Sequence, residues 1–312
     1  MIVVIETNEL SKRYRDVQAV DALSLQVFEG EIYAFLGLNG AGKTTTVRLL
    51  LGMIKPNMGY ANVLSKRIQP GKSDPWAEVG YMVEDPHAYP ELTVYENLEV
   101  ARRLHPGVRP KAISEIIERM RLSAYADRRA RTLSHGNAQR LGLAKAMIHH
   151  PRLLILDEPA NGLDPAGIVE IREQLISLSR EEGVTIFMSS HILAEVALLA
   201  DRIGIIHKGR LLQELSVDEL ERKRKRRLMV DVRDAERGRE ALVVGGITPE
   251  ILQDGSIVVT DPAAIESPEQ IASLLVNAGA PPSKLYVDEE GLEQYFLRLV
   301  GAEQRSGNEQ PD

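Results

Sequence analysis

Hydrophobic positions change their spacing along this chain. Near the start they form short β-rich runs at residues 2–5, 20–28 and 31–36, separated by turn signals such as Glu29-Gly30. Beyond Leu36 apolar runs alternate with helical patterns. Residues 153–156 (LLIL) and 184–188 (VTIFM) are continuously apolar, as strands buried on both faces of a parallel sheet require. The alternation predicts βαβ units. Thr93-Val94-Tyr95-Glu96 has the spacing of a capping box and predicts a helix start. The pattern weakens after a basic run, ERKRKRR, at residues 221–227. That run is a solvated helix end or linker face, or else a patch for lipid headgroups or nucleic acid. Strands are expected at 228–232, 255–260 and 285–287, and helices at 236–244 and 292–300. Ser267-Pro268-Glu269-Gln270 predicts another helix start, with a capping box and proline at the first helical position. No internal repeat is visible.

Composition narrows the class. The 312 residues fit about two domains on a prior of roughly 150 residues each. Lys plus Arg number 38 and Asp plus Glu 45, a net charge of −7, which is a poor match to a dedicated nucleic-acid binder. The absence of cysteine excludes disulfides, thiolate zinc sites, iron–sulfur clusters and cysteine nucleophiles. Glu6 and Glu9 near the start argue against a signal peptide. No uncharged apolar run approaches the ~20 residues of a membrane span. The longest candidate, residues 184–200, contains His191 and Glu195. The expectation is a cytoplasmic chain that reaches a membrane only through another protein.

One motif carries explicit chemistry. Gly37-Leu38-Asn39-Gly40-Ala41-Gly42-Lys43-Thr44 follows a predicted strand and opens a helix expected at 44–54, before Pro56. This strand–loop–helix context is what a phosphate loop needs. Backbone N–H groups turn inward around phosphate oxygens, and the helix N-terminus adds partial positive charge. Lys43 is expected to reach the β- and γ-phosphates of a nucleotide, and the Thr44 hydroxyl to ligate Mg²⁺. Asp157 and Glu158 end the 153–156 strand. Asp157 is expected to hold Mg²⁺ through water, and Glu158 to polarise the attacking water.

Two further segments complete a set. Leu133-Ser134-His135-Gly136-Asn137-Ala138-Gln139-Arg140 precedes a helical run, and Ser190-His191 ends the 184–188 strand. With GLNGAGKTT, LLILDEPANGLDP and MSSHILAEV in this order, the sequence resembles the ATP-binding subunit of an ABC transporter over about residues 1–215. The resemblance implies an α/β P-loop NTPase of the ABC ATPase type. It has an N-terminal antiparallel β subdomain, a helical subdomain at about 85–130 and a small C-terminal α+β domain. The domain reading is 1–215 for the ATPase, 216–227 for a linker helix, 228–300 for the accessory domain and 301–312 for a disordered tail.

The resemblance also implies site roles. ATP and Mg²⁺ are the cofactors. Tyr14 sits where the family places an aromatic against adenine. Gly37, Asn39, Gly40, Ala41, Gly42, Lys43, Thr44 and Thr45 cradle the phosphates. Ser134 and Gly136 act on the nucleotide of a second ATP-binding subunit, paired head to tail. Asp164 lies at the seam between the two, and His191 contacts the γ-phosphate. Tyr89, Leu92 and Tyr95 are candidates for the groove that grips a separate transmembrane permease, or for core of the helical subdomain. Three positions depart from the usual pattern: His135 and Asn137 replace Gly and Gln, and Glu84 replaces a Gln that senses Mg²⁺ and water. A carboxylate at Glu84 should bring a third acid near Asp157 and Glu158 and join the catalytic and metal set. An acid there is similar to the bacteriocin- and bacitracin-exporting branch. Residues 290–297 (EGLEQYFL) resemble the ending of drug- and lantibiotic-type exporters. The expected function is an ATPase subunit of an exporter, without nucleic acid as partner. The alternative is a soluble ABC ATPase acting on nucleic acid or ribosomes. The stretch between Lys43 and Ser134 is too short for the long coiled coil of DNA-repair members. A P-loop kinase would leave the 133–137 segment unexplained.

Overall fold

The computed structural model describes residues 2–71, 75–84 and 86–306. The chain divides into two compact units, Met1–Val217 and Asp218–Asp312. The first unit runs β1 (Val3–Tyr14), β2 (Val17–Phe28), β3 (Ile32–Leu36), α1 (Lys43–Leu50), β4 (Met58–Val63), β5 (Lys66–Arg67) and β6 (Val79–Met82). It continues through α2 (Val94–Arg103), α3 (Lys111–Arg119), α4 (His135–Met147), β7 (Leu153–Asp157), α5 (Pro165–Glu182), β8 (Thr185–Ser190), α6 (Leu193–Ala197), β9 (Arg202–His207) and β10 (Arg210–Ser216).

Two sheets organise this unit. A six-stranded sheet has the order β10-β9-β3-β8-β7-β6, parallel except for β10. Every residue of β3, β7 and β8 is buried, as expected for strands covered on both faces. The second sheet is antiparallel, β2-β1-β4-β5. Its hairpin is longer than the apolar runs predict. Polar Glu6, Asn8, Glu9 and Lys12 interrupt the run, yet cross-strand pairing carries β1 on to Tyr14. Two of its register shifts span Glu9 and Ala22, both with φ of 46°. The core joins the inner faces of both sheets around α1, through residues such as Ile5, Leu25, Phe35, Val47, Ile155 and Phe187.

Helix α1 is shorter than expected. It ends at Leu50, where the Met53 N–H returns to the Arg48 carbonyl at 2.9 Å and closes the last turn. The expected helical subdomain begins at Asp85, which lies outside the described residues. From Val94 onward it consists of α2, α3 and short 3₁₀ turns at Ser123–Tyr125 and Ala130–Thr132. The Thr93 capping box forms in both directions, with bonds of 3.1 and 2.8 Å to and from Glu96.

The second unit holds α7 (Val217–Lys223), β11 (Arg226–Val232), α8 (Ala235–Val244), β12 (Pro249–Ile251), β13 (Ile257–Val259), α9 (Pro262–Glu266), α10 (Pro268–Asn277), β14 (Pro282–Glu289) and α11 (Leu292–Ser306). Its sheet is antiparallel, β12-β13-β11-β14. The chain order is thus a split β-α-β-β-α-β arrangement. Leu228, Val230, Ile257, Val259, Leu242 and Leu275 form its separate core. Ser267 makes no side-chain cap, contrary to the box expected there. Its N–H is already bound to the Ala263 carbonyl at the end of α9, which fixes its backbone away from cap geometry. The linker helix ends at Lys223, and the basic run continues into β11. Arg224, Arg226 and Arg227 pair with Glu221, Glu289 and Asp288, so these charges serve the unit's own structure. Helix α11 extends through Ser306, into the segment expected to be disordered, while 307–312 lie outside the described residues. Among the described residues no helix is long and apolar enough to cross a membrane.

The packing of α4 on β6 depends on a missing side chain. A Cβ at Gly80 would lie 2.0 Å from the Ala146 carbonyl oxygen and 2.7 Å from Leu154 Cδ2. Gly80→Ala is expected to destabilise the first unit by about 1–3 kcal/mol. Chemical denaturation of the variant beside the parent measures this directly.

Candidate nucleotide site

The site forms where buried strands end and helices begin. β3 delivers the loop from Gly37 to Gly42, and α1 starts at Lys43. Two close backbone approaches require glycine. A Cβ at Gly37 would meet the Ile206 carbonyl oxygen at 2.6 Å, and one at Gly42 the Ala19 carbonyl oxygen at 2.3 Å. Gly42 also holds φ of 111°. No side chain caps the N-terminus of α1, and no acid stands in its first turn. Its free N–H groups and dipole therefore present an anion site. Asn39 and Gly40 are exposed, Ala41 is buried, and Thr44 and Thr45 are half-buried.

Lys43 is only 5% exposed, which makes its partners decisive. Its ammonium donates to the Gly37 carbonyl at 2.8 Å and lies 3.1 Å from Glu158 Oε1. The other Glu158 oxygen is 2.8 Å from His191 Nδ1. Glu158 thus joins the phosphate-loop lysine to the histidine after β8. Asp157, 2% exposed, accepts from the Ser189 hydroxyl at 2.5 Å. The same hydroxyl accepts from the Glu158 N–H at 3.0 Å. Glu158 has φ of 49°, so the chain turns sharply after Asp157 and the two acids serve different partners. Gln139 of α4 donates to the Pro159 carbonyl at 2.9 Å and braces this turn. Sequence reasoning missed Ser189 and Gln139. Ser189 sits in the quoted MSSH segment and Gln139 in LSHGNAQR, but neither local pattern discloses a partner.

Oxygen donors suit a hard cation here. The Thr44 hydroxyl and Asp157 carboxylate fit the expected Mg²⁺ ligands, with waters and phosphate oxygens completing the shell. Glu84 has a partner of its own. With φ of 57° it turns to Arg48 on α1, at 2.7 Å, and is half exposed.

The other motifs occupy exposed positions. Ser134 caps α4, with its oxygen accepting from the Asn137 N–H at 3.4 Å. His135 Nε2 lies 3.1 Å from the Asn161 carbonyl, which ties this segment to the turn before Asp164. A Cβ on Gly136 would stand 3.3 Å from Leu163, so only a small residue fits there without displacing that contact. Asp164 caps α5 by accepting from the Gly167 N–H at 2.9 Å. Tyr14 lies at the end of β1, 42% exposed, with the Lys12 ammonium 5.1 Å from its ring centroid.

Beside the site, a cleft of about 470 Å³ is lined by Arg48, Met82, Glu84, Tyr89, His105 and His149, among others. Tyr89 lines it, while Tyr95, though 46% exposed, and Leu92 do not. The His105 and His149 rings stack 3.8 Å apart. Burial, with a smaller contribution from His105, pushes His149 down to about 4.

This geometry defines a P-loop ATPase of the ABC type: an open helix N-terminus, a buried lysine and a strand-end acid pair that a histidine joins. The family model described as "ABC transporter" matches residues 20–161. The bacitracin transport ATP-binding protein BcrA of Bacillus licheniformis is 39% identical over 96% of this chain and 98% of that protein. The lantibiotic transport ATP-binding protein SrtF of Streptococcus pyogenes is 36% identical over 69% of this chain and 92% of its own length. A solved ATP-binding subunit of an ABC transporter is 29% identical, with a TM-score of 0.64 over 70% of this chain and 92% of that one. The chain belongs to the ABC transporter family of ATP-binding proteins and is an ATP hydrolase.

Two outcomes follow. Glu158→Gln is expected to retain ATP binding and to slow phosphate release by about 10²–10⁴-fold, the usual worth of a general base. Single-turnover assays beside nucleotide titrations separate the two effects. His149, held below its ordinary 6.5, binds its proton more weakly in the folded chain than in the unfolded one. Its contribution to stability is complete above pH 6.5 and lost as pH falls toward about 4. Urea unfolding midpoints at several pH values should show this slope, and His149→Gln should flatten it.

Proposed function

We propose that this chain energises a separate transmembrane permease, of the exporter type, from the cytoplasmic face of the membrane. The observation that carries the ATPase mechanism is the Lys43–Glu158–His191 chain. While Lys43 is paired with Glu158, the buried cation is neutralised and the base is held. A polyphosphate at the α1 N-terminus competes for the lysine with greater charge. Lys43 then turns to the phosphates, and Glu158 is released to accept a proton from water beside the γ-phosphate. His191 stays within reach of both the carboxylate and the phosphate. Bound Mg²⁺ would supply charge neutralisation at the phosphates, held by Thr44 and Asp157. Asp157 keeps its orientation through Ser189.

The exposed Ser134, His135 and Asp164 favour a two-subunit mechanism. In a head-to-tail pair, Ser134 aims the N-terminus of α4 at the nucleotide of the other subunit. Closure around ATP would then move attached permease helices between access states. The exporter reading rests on the relatives, whose names specify bacitracin and lantibiotic transport. The cleft between Glu84 and Tyr89 is the proposed seat of the permease, which would also hold the chain at the membrane.

The test is direct. Purification from native membranes should bring a permease with the chain, and reconstitution of the pair should couple transport to hydrolysis. Recovery of ribosomes or nucleic acid instead would favour the soluble alternative. Glu84 is bonded to Arg48 in the cleft. Glu84→Ala should therefore lower transport per ATP at least several-fold while nucleotide affinity stays within about twofold. Unchanged transport per ATP would reject its coupling role.

A further inference from the structure

Among the described residues the second unit's sheet is bounded by a short edge strand, β12, and a long one, β14. β14 spans eight residues, Pro282–Glu289, and pairs with β11 alone among the described strands. None of its residues is buried. The Glu290 N–H donates to the Lys225 carbonyl at 2.7 Å, and the register with β11 is regular from Lys284 to Glu289. Backbone direction alternates along a strand. Even-numbered residues of β14 therefore turn their N–H and C=O groups to β11. Ser283, Leu285, Val287 and Glu289 turn theirs outward. An open edge of this length is a template for a further strand.

The side chains on that edge specify the partner. Leu285 and Val287 pack toward the unit's core, so Lys284, Tyr286 and Asp288 share the opposite face. Around Tyr286 the segment is antisymmetric in charge. An aliphatic residue flanks it on each side, a base stands two positions before, and an acid two positions after. We propose that β14 pairs antiparallel with β14 of a second copy of this chain, about a two-fold axis at Tyr286, joining two four-stranded sheets into one.

The central five positions of that register, Lys284 to Asp288, are complementary. Lys284 faces Asp288 of the second copy, and the symmetry repeats the pair. Leu285 faces Val287 with both backbones turned outward, which makes hydrogen-bonded pairs. Tyr286 faces its own copy in a non-hydrogen-bonded pair, where side chains approach most closely. Within one copy, Asp231 lies 4.0 Å from Lys284, and Arg227 lies 2.8 Å from Asp288. The joined sheet extends these into a row of alternating sign across four strands: Asp231, Lys284, then Asp288 and Arg227 of the second copy. Such cross-strand pairs stabilise a sheet, and like charges opposed destabilise it. Moving the axis to Lys284 or Asp288 sets like charges face to face, moving it to Leu285 sets Lys284 against Tyr286, and moving it to Val287 sets Lys284 against Glu290, which Arg298 already holds at 2.7 Å, and Asp288 against Tyr286. The surface is thus self-complementary in one register, as an isologous interface must be. This pairing involves the second unit alone and does not depend on the mechanism proposed for the ATPase site.

The cysteine-free chain makes the test clean. Tyr286→Cys in the full-length, nucleotide-free protein should give a disulfide-linked dimer on mild oxidation. Directly opposed residues have Cα atoms about 4.5–5.5 Å apart, within disulfide reach. Lys284→Cys, about 13 Å from its own copy in this register, should cross-link at least tenfold less. Sedimentation of the cysteine-free parent should show self-association without nucleotide, weakened at least tenfold by Lys284→Asp. Equal cross-linking at both positions, none at Tyr286→Cys, or association unchanged in Lys284→Asp would overturn the proposal. Capture of a different protein's strand by this edge, without self-association, would overturn it too.

Discussion

A buried lysine cannot remain without an anion, and the nucleotide site is organised around that constraint. Lys43 is enclosed by the loop that carries it, so its charge must be met within the fold. Glu158 meets it, and the same carboxylate holds His191. Each neighbouring feature supports that arrangement. Ser189 holds Asp157 and the Glu158 backbone together, and Gln139 braces the turn that follows. The sharp turn at Glu158 sends adjacent acids to different tasks. The uncapped N-terminus of α1 then supplies what the lysine alone does not, a place where phosphate is a better partner than the carboxylate.

Beyond the site, the same logic of charge and partner separates the two units. In the first, Ser134 and Asp164 stay exposed while they cap α4 and α5. In the second, three cations of the basic run, Arg224, Arg226 and Arg227, are paired with Glu221, Glu289 and Asp288. That unit also leaves backbone groups facing outward along the outer edge of β14. Its core is separate from that of the ATPase unit, which allows it to act as a module of its own.

Much of the site was legible in the chain because phosphate binding imposes local rules. Gly37, Gly42, Lys43 and Thr44 must stand at fixed spacing, since backbone approach and helix start are set within a few residues. Asp157 and Glu158 were readable because they end a strand whose buried character shows in its composition. The hairpin of β1 and β2 was only half visible. Its stability comes from pairing across the turn, which overrides the polar residues that interrupt the apolar run. The Ser267 box failed for a related reason, since the residue's backbone was already committed to the preceding helix.

The sequence by itself determined the family, the order of the motifs and the residues that meet phosphate, because these depend on neighbours close along the chain. Only the tertiary structure decided which partner each charge takes. Glu84 took Arg48 of α1 as its partner. Ser189 and Gln139 came to the site from strands and helices far apart in the chain. The strand β12, too short to show a pattern, completed the second sheet and left β14 at its edge. These outcomes follow from contacts between distant segments, and such contacts exist only once the chain has folded.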